Sequence, residues 1–159
     1  MAASRPVCKL SVTVPRIAVF SDTHDHFPAG LPGLMRGADE LWHLGDVCNP
    51  ATLDDFLALG MPLTVVQGNC DWDERWPLRR RLERAGHVFH LEHIPPRHAP
   101  PGARFVLHGH THVPRDETDP FGVRWLNPGC ITAPRGAGCG FAWLELAEGE
   151  QPRWRPVRL

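Results

Sequence analysis

Lysine is almost missing from this chain: Lys9 stands alone among 159 residues, against sixteen arginines. With many Ala, Gly and Pro beside it, that skew reads as genome composition rather than as a binding strategy. The formal net charge is −1, which excludes a general electrostatic grip on nucleic acid or on an anionic membrane. No apolar stretch approaches the roughly 18 residues of a membrane span. The first twenty residues are broken by Arg5, Pro6, Lys9, Pro15 and Arg16, so no secretory signal is expected. The five cysteines (Cys8, Cys48, Cys70, Cys130 and Cys139) are odd in number and contain no CxxC pair, which argues against a disulfide framework and against a zinc ribbon. A cytoplasmic location is therefore expected.

What is present fits one domain over 1–159, with 1–15 as an N-terminal extension. Hydrophobic residues make up 42% and charged residues 22%, the proportions of an ordinary globular core and surface. Arg16 to Phe20 is a short apolar run of the kind that forms a buried parallel strand, and it ends at Ser21-Asp22. Glu40 to Leu44 leads to Gly45-Asp46 in the same way, and Pro62 to Gln67 leads to Gly68-Asn69. Helices are expected around Leu31 to Arg36, Thr52 to Leu59 and Pro77 to Arg84, the last with proline suited to a first turn. Two more strands, His87 to Leu91 and Arg104 to Leu107, run toward His93 and toward His108-Gly109-His110-Thr111-His112. Beyond them the chain reads as antiparallel hairpins, with Gly122 to Leu126 before Asn127-Pro128-Gly129, and Gly140 to Leu146 facing Arg153 to Leu159.

Asp22, Asp46, Asn69 and His93 recur at steps near two dozen residues, about one βα unit each, which places them at the ends of successive strands of one sheet. In an open α/β sheet, ligands gather outside the carboxyl ends of the strands, so these clusters form one site. Its inventory is two aspartates, one asparagine and up to four histidines. Oxygen and imidazole donors without thiolate suit Mn²⁺, Fe, Zn²⁺ or Ni²⁺ better than a soft-metal or calcium site. Asp46 is the residue expected between two ions, since one carboxylate can hold cations roughly 3.5 to 4 Å apart. Two divalent ions, two aspartates and one hydroxide leave a single net positive charge, which matches the monoanion of a phosphodiester.

These motifs resemble the calcineurin-like metallophosphoesterase superfamily, in particular its small bacterial and archaeal branch of YfcE-like phosphodiesterases. The family pattern of DxH, GD, GN, a lone histidine and GHxH is met in order by Asp22/His24, Asp46, Asn69, His93 and His110/His112. Asn127-Pro128-Gly129 followed by Ala133-Pro134-Arg135-Gly136 is similar to the family's C-terminal signature. The resemblance implies a four-layer α/β/β/α sandwich, two mixed sheets flanked by helices. It further implies one metal on Asp22, His24, Asp46 and His112, and a second on Asp46, Asn69, His93 and His110. Mn²⁺ comes first among the ions, with Ni²⁺, Fe, Zn²⁺ or Mg²⁺ as alternatives. The reaction implied is hydrolysis of a phosphate ester, a small diester above all, by a bridging hydroxide that attacks phosphorus in line. The other reading of the same fold is a protein-interaction scaffold like the retromer subunit, with vestigial metal binding.

Three positions depart from the family pattern. Cys70 stands where many relatives carry histidine, and a thiol is a poor substitute for an imidazolium acid, so good leaving groups should be favoured. His93 is followed by Ile94 rather than glycine, and His90 is the alternative ligand if the strand register differs. Cys130 occupies a position where serine often follows Asn-Pro-Gly. Asp71 reads as a residue orienting the Gly68-Asn69 turn, His26 and His108 as neighbours of the motifs, and Trp72 and Trp76 as candidate pocket walls. Arg79, Arg80, Arg81 and Arg84 read as a solvated helix face. An apolar face on the C-terminal hairpin leaves a homodimer open.

Overall fold

The computed structural model describes residues 14–136 and 138–159, so most of the expected N-terminal extension, and Cys8 with it, lies outside the described residues. Among the described residues, ten strands form two five-stranded mixed sheets. In the first, β1 (Arg16–Phe20), β2 (Glu40–His43) and β3 (Leu63–Val65) run parallel, and β1 also pairs antiparallel with β9 (Gly140–Glu145), which pairs with β10 (Arg153–Arg158). In the second, the order is β4 (Arg79–Arg84), β5 (His87–Glu92), β6 (Phe105–Leu107), β8 (Arg124–Asn127) and β7 (Arg115–Thr118). Here β5, β6 and β8 run parallel and the edge strands β4 and β7 antiparallel.

Alternation along the strands decides which side chains meet. In β1, Ile17 and Val19 point to one face and Ala18 and Phe20 to the other, as the two-residue period of a strand requires. Ile17, Val19, Trp42, Leu44, Val66 and Leu144 pack with Phe89, Leu91, Phe105, Leu107 and Leu126 to form the seam between the sheets. Ala18, Phe20, Leu41, Val65, Phe141 and Trp143 cover the opposite face of the first sheet. Against them lie Leu31 and Met35 around α1 (Leu31–Leu34), and Leu53 and Phe56 from the 3₁₀ turn Pro50–Leu53 and α2 (Asp54–Leu57). This is the mixed two-sheet α/β sandwich of the expected fold class, with few and short helices. On the outer face of the second sheet, Val106 and Trp125 pack with Ala103, Val123 and Ala99. No helix among the described residues is long and apolar enough to cross a membrane.

Two expectations are corrected. Pro77 to Arg84 is not a helix: Arg79–Arg84 is the edge strand β4, in register with β5 so that Arg80 meets Leu91 and Leu82 meets Phe89. Its arginines sit on a sheet edge, where charge protects unpaired backbone from other strands. Arg79 pairs with Glu92 at 3.0 Å, and Arg84 pairs with Glu40 across to the first sheet. The ligand clusters also do not share one sheet. Asp22, Asp46 and Asn69 follow strands of the first, whereas His93, His110 and His112 follow strands of the second.

Candidate metal centre

All seven sequence-derived residues converge where the two sheets present their strand ends. Just past β1, the Asp22 N–H donates to the Gly45 carbonyl at 3.0 Å, and the His24 N–H to that of Asp46 at 3.0 Å, so the first two turns are stitched together. Asp22 is fully buried. Its Oδ2 accepts from the His110 backbone N–H at 3.2 Å, while its Oδ1 has no hydrogen-bond partner. Around that orphaned oxygen stand His112 Nε2 at 3.1 Å, His24 Nε2 at 3.9 Å and His93 Nε2 at 4.0 Å. Asp46 Oδ1 accepts from the Cys70 N–H at 2.8 Å. Its Oδ2 faces His93 Nε2 at 3.3 Å and His24 Nε2 at 3.7 Å. Asn69 Oδ1 lies 3.1 Å from His93 Nε2 and 2.9 Å from His110 Nδ1. His90 instead contacts Glu92 at 3.0 Å, which leaves His93 as the histidine at the centre.

The imidazoles are oriented from behind. His93 Nδ1 is 2.7 Å from the Leu44 carbonyl and His112 Nδ1 is 2.8 Å from that of Ala133. A carbonyl only accepts, so each Nδ1 carries a hydrogen, and a ring with no second proton turns the lone pair of Nε2 toward the carboxylates. In that form lone pairs face lone pairs. That arrangement repels unless protons or cations stand between, which is the chemistry of a metal-binding donor set. Among the described residues, three groups of donor atoms are close enough to share an ion: Asp22, His24 and His112; Asp22, Asp46 and His93; and His24, Cys48 and Cys70.

Electrostatics without a metal reflect this crowding. Burial pushes the Asp22 carboxyl above its ordinary range, against Ser21 and the imidazoles of His93 and His112, which act the other way. For Asp46, burial also works upward, but the hydrogen bonds to His93 and the Cys70 N–H prevail and hold it well below the ordinary range. Burial opposes charge on His93, yet Asp46 and Asp22 raise it overall.

Backbone geometry is unusual here. Asp22, His24, Asp46, His110 and His112 all have positive φ, between 43° and 64°, a region costly for residues with a Cβ. Ile94 is not among the positive-φ residues, so the missing glycine after His93 leaves its turn intact. Close approach explains the motif glycines: a Cβ on Gly68 would fall 2.2 Å from Asp46 N, and one on Gly109 2.1 Å from Ser21 Oγ.

Asp71 does more than orient one turn. Its Oδ1 accepts from the N–H groups of Val47 (2.7 Å) and Cys48 (2.8 Å), and its Oδ2 from Asp46 (3.0 Å) and Gly68 (2.7 Å). Asn127 acts likewise on the second sheet, its Nδ2 donating to the Gly109 carbonyl and to Thr111 Oγ1, both at 3.0 Å. His43 is a satisfied core histidine between Thr23 Oγ1 and the Gly45 N–H, and burial pushes its pKa down to about 3. His108 is buried beside Asn127 and is pushed down to about 4 by the same cause. Trp76 packs against the core of the first sheet, and Trp72 is 87% exposed. A cavity of about 270 Å³ adjoins the centre, lined by Asn69, His93, Leu78, Arg79, Glu92 and Ile94 among others.

Two mixed sheets whose strand ends gather aspartates, an asparagine and histidines around unpaired lone pairs define a metal-binding hydrolase of the phosphoesterase type. The chain belongs to the calcineurin-like phosphoesterase superfamily, whose domain model matches residues 16–149. No curated protein matches it. Among solved structures it is similar to the phosphoesterase Yfce from E. coli, with 24% identity over 81% of this chain and 87% of that one and a TM-score of 0.69. A novel archaeal phosphodiesterase has 20% identity over 91% and 99%, with a TM-score of 0.70. Vps29 from Entamoeba histolytica, complexed with Zn²⁺, has 18% identity over 89% and 98%, with a TM-score of 0.72. At these identities the likeness is one of fold.

Proposed function

We propose that this protein is a metal-dependent phosphodiesterase whose centre holds two divalent ions, Mn²⁺ first among them. Asp22, His24, Asp46 and His112 would hold one ion, and Asp46, Asn69, His93 and His110 the other. The observation that carries this reading is the fully buried, unpartnered Asp22 Oδ1, with three imidazole Nε2 atoms within 4.0 Å. A structural role alone would leave that oxygen with a donor. Bound there, the ions would supply Lewis acidity toward phosphoryl oxygens and activate water as the nucleophile.

The chain's own residues prepare that chemistry. Leu44 and Ala133 carbonyls hold the rings of His93 and His112, and the Cys70 N–H holds the Asp46 carboxylate. Leu78 and Ile94, beside Asn69 and His93, offer an apolar wall to the ester group of a substrate. The single net positive charge that two ions, two aspartates and a hydroxide would leave at the centre favours a diester monoanion over a dianionic monoester. Cys70 supplies no strong acid for the leaving group, so activated diesters should turn over fastest. The scaffold reading does not require a full donor set, whereas all seven donors are present and converged.

Metal-stripped protein, resupplied singly with Mn²⁺, Ni²⁺, Zn²⁺ or Mg²⁺, should regain hydrolysis of bis-p-nitrophenyl phosphate in excess of p-nitrophenyl phosphate. No turnover with any ion, despite two ions bound per chain, would refute the enzymatic reading.

A further inference from the structure

Cys48 follows the Asp46 turn and Cys70 follows Asn69, so the two turns that Asp71 ties together also bring two thiols to one flank of the centre. Cys48 Sγ is 3.7 Å from His24 Nδ1. Cys70 Sγ completes the group, all three donor atoms lying within 4.8 Å of one another. Both cysteines are free and half-buried, as is His24, so an ion can reach them from solvent.

Tetrahedral geometry provides the test of fit. With metal–sulfur bonds of about 2.3 Å and metal–nitrogen bonds of about 2.0 Å, a sulfur and a nitrogen donor stand about 3.5 Å apart. The 3.7 Å separation of His24 from Cys48 is close to that edge, and the other two separations lie within 4.8 Å. Carboxylates on neighbouring turns add attraction for a cation. Asp25 reaches the Asn49 N–H at 2.6 Å, and Asp71 the Cys48 N–H at 2.8 Å. The donor set differs in kind from the centre beside it, because paired thiols select soft ions where carboxylate and amide oxygens select hard ones.

We infer that His24 Nδ1, Cys48 Sγ and Cys70 Sγ form a separate thiophilic metal site that takes a soft ion such as Cd²⁺ and draws His24 away from the phosphoesterase centre. Binding exchanges two thiol protons for one divalent ion. The withdrawal follows from the imidazole itself, which when neutral has one N–H and one lone pair. With Nε2 donating into the centre, Nδ1 carries the hydrogen. With Nδ1 donating to an ion on the thiols, Nε2 carries it and faces Asp22 and Asp46 as a donor. His24 thus serves one site at a time, and a soft ion inhibits. The thiol site itself stands independently of the proposed function; only the inhibition rests on it.

The reduced full chain, titrated with Cd²⁺, should develop thiolate-to-cadmium charge-transfer absorption in the ultraviolet that saturates at one thiol-bound ion per chain. The band should vanish in Cys48→Ser and in Cys70→Ser. Hydrolysis supported by Mn²⁺ should be inhibited by Cd²⁺ in the native chain, and at roughly ten-fold or higher Cd²⁺ in Cys48→Ser. No band in the native chain, or a band that survives the double substitution, overturns the site. Equal inhibition of native and Cys48→Ser protein overturns the competition for His24. A band in a chain without hydrolytic activity supports the site while refuting the phosphodiesterase reading.

Discussion

Replacing Asp71 by asparagine changes one atom and should unfasten two ligand turns at once. The carboxylate of Asp71, 9% exposed, accepts from four backbone N–H groups: Val47 and Cys48 on one oxygen, Asp46 and Gly68 on the other. An amide presents one oxygen, so whichever way it turns, two N–H donors lose their acceptor and meet an NH₂ group. Hydrogen bonds to charged groups contribute about 1.5–3 kcal/mol each, and stranded buried donors add a desolvation cost. The loss is therefore about 3–6 kcal/mol before relaxation, a large part of the 5–15 kcal/mol that typically holds a domain together. The effect belongs to the metal-free fold and does not wait for ions. Urea unfolding of metal-stripped native and Asp71→Asn protein gives the stability difference, and calorimetric titration with Mn²⁺ gives the ion count. A loss below about 1 kcal/mol with unchanged metal stoichiometry would refute the claim that Asp71 sets the placement of Asp46 and Asn69.

Asp46→Asn should behave in the opposite way: its Oδ1 can still accept from the Cys70 N–H and the new amide can donate toward His93 Nε2, so the metal-free melting temperature holds while turnover and one bound ion are lost. Metal uptake should be proton-linked through His93. Its folded pKa lies above the ordinary value, so it stabilises the metal-free fold below the unfolded value, and that gain is lost as pH rises through the folded one. An ion competes for the same nitrogen, so affinity should rise with pH over that window, with protons released in amounts read by titration calorimetry in buffers of different ionisation enthalpy. Gly68→Ala places a methyl 2.2 Å from both Asp46 N and Asp46 Oδ1, and should cost about 1–3 kcal/mol in thermal unfolding and abolish activity. The ion pair of Glu40 with Arg84 bridges the two sheets. Burial opposes the charge on Glu40, but Arg84 and the Trp42 indole depress its pKa, so its contribution is present above the unfolded value and lost as pH falls through the folded one. Glu40→Gln should remove about 0.5–1 kcal/mol at neutral pH and less in acid.

The centre was legible in the sequence because its chemistry sits on short apolar runs. β1, β2 and β3 each hand a polar residue to a turn, and nothing else in a 159-residue chain explains Asp, Asn and His at those places. The strand β4 was not legible, since Arg79 to Arg84 carries almost no apolar side chain to show alternation. Its conformation comes from pairing with β5, a partner that local propensity does not contain. The division of the ligands between two sheets escaped for a related reason: even spacing reports the length of a connection, not which edge the next strand joins. The proximity of Cys48 to His24 was not legible because 24 positions separate them in the chain, with β2 between. Asp and His are enriched among non-glycine residues with positive φ, but that preference alone does not single out the left-handed backbone of Asp22, His24, Asp46, His110 and His112. Those angles are imposed by hydrogen bonds from elsewhere, such as Asp22 N–H to the Gly45 carbonyl.

Among the described residues the two sheets share no strand pairing, and they meet through side chains such as Trp42 and Phe89, whose rings cross edge to face with centroids 5.5 Å apart. Asp22, His24, Asp46 and Asn69 ride on one plate, and His93, His110 and His112 on the other. The centre thus works as a vernier for the sandwich, in which a slip of one plate over the other is read out as a change in donor spacing. A methyl group added or removed deep in the seam would alter that spacing without touching a donor, and an ion held by donors from both plates would fix their alignment.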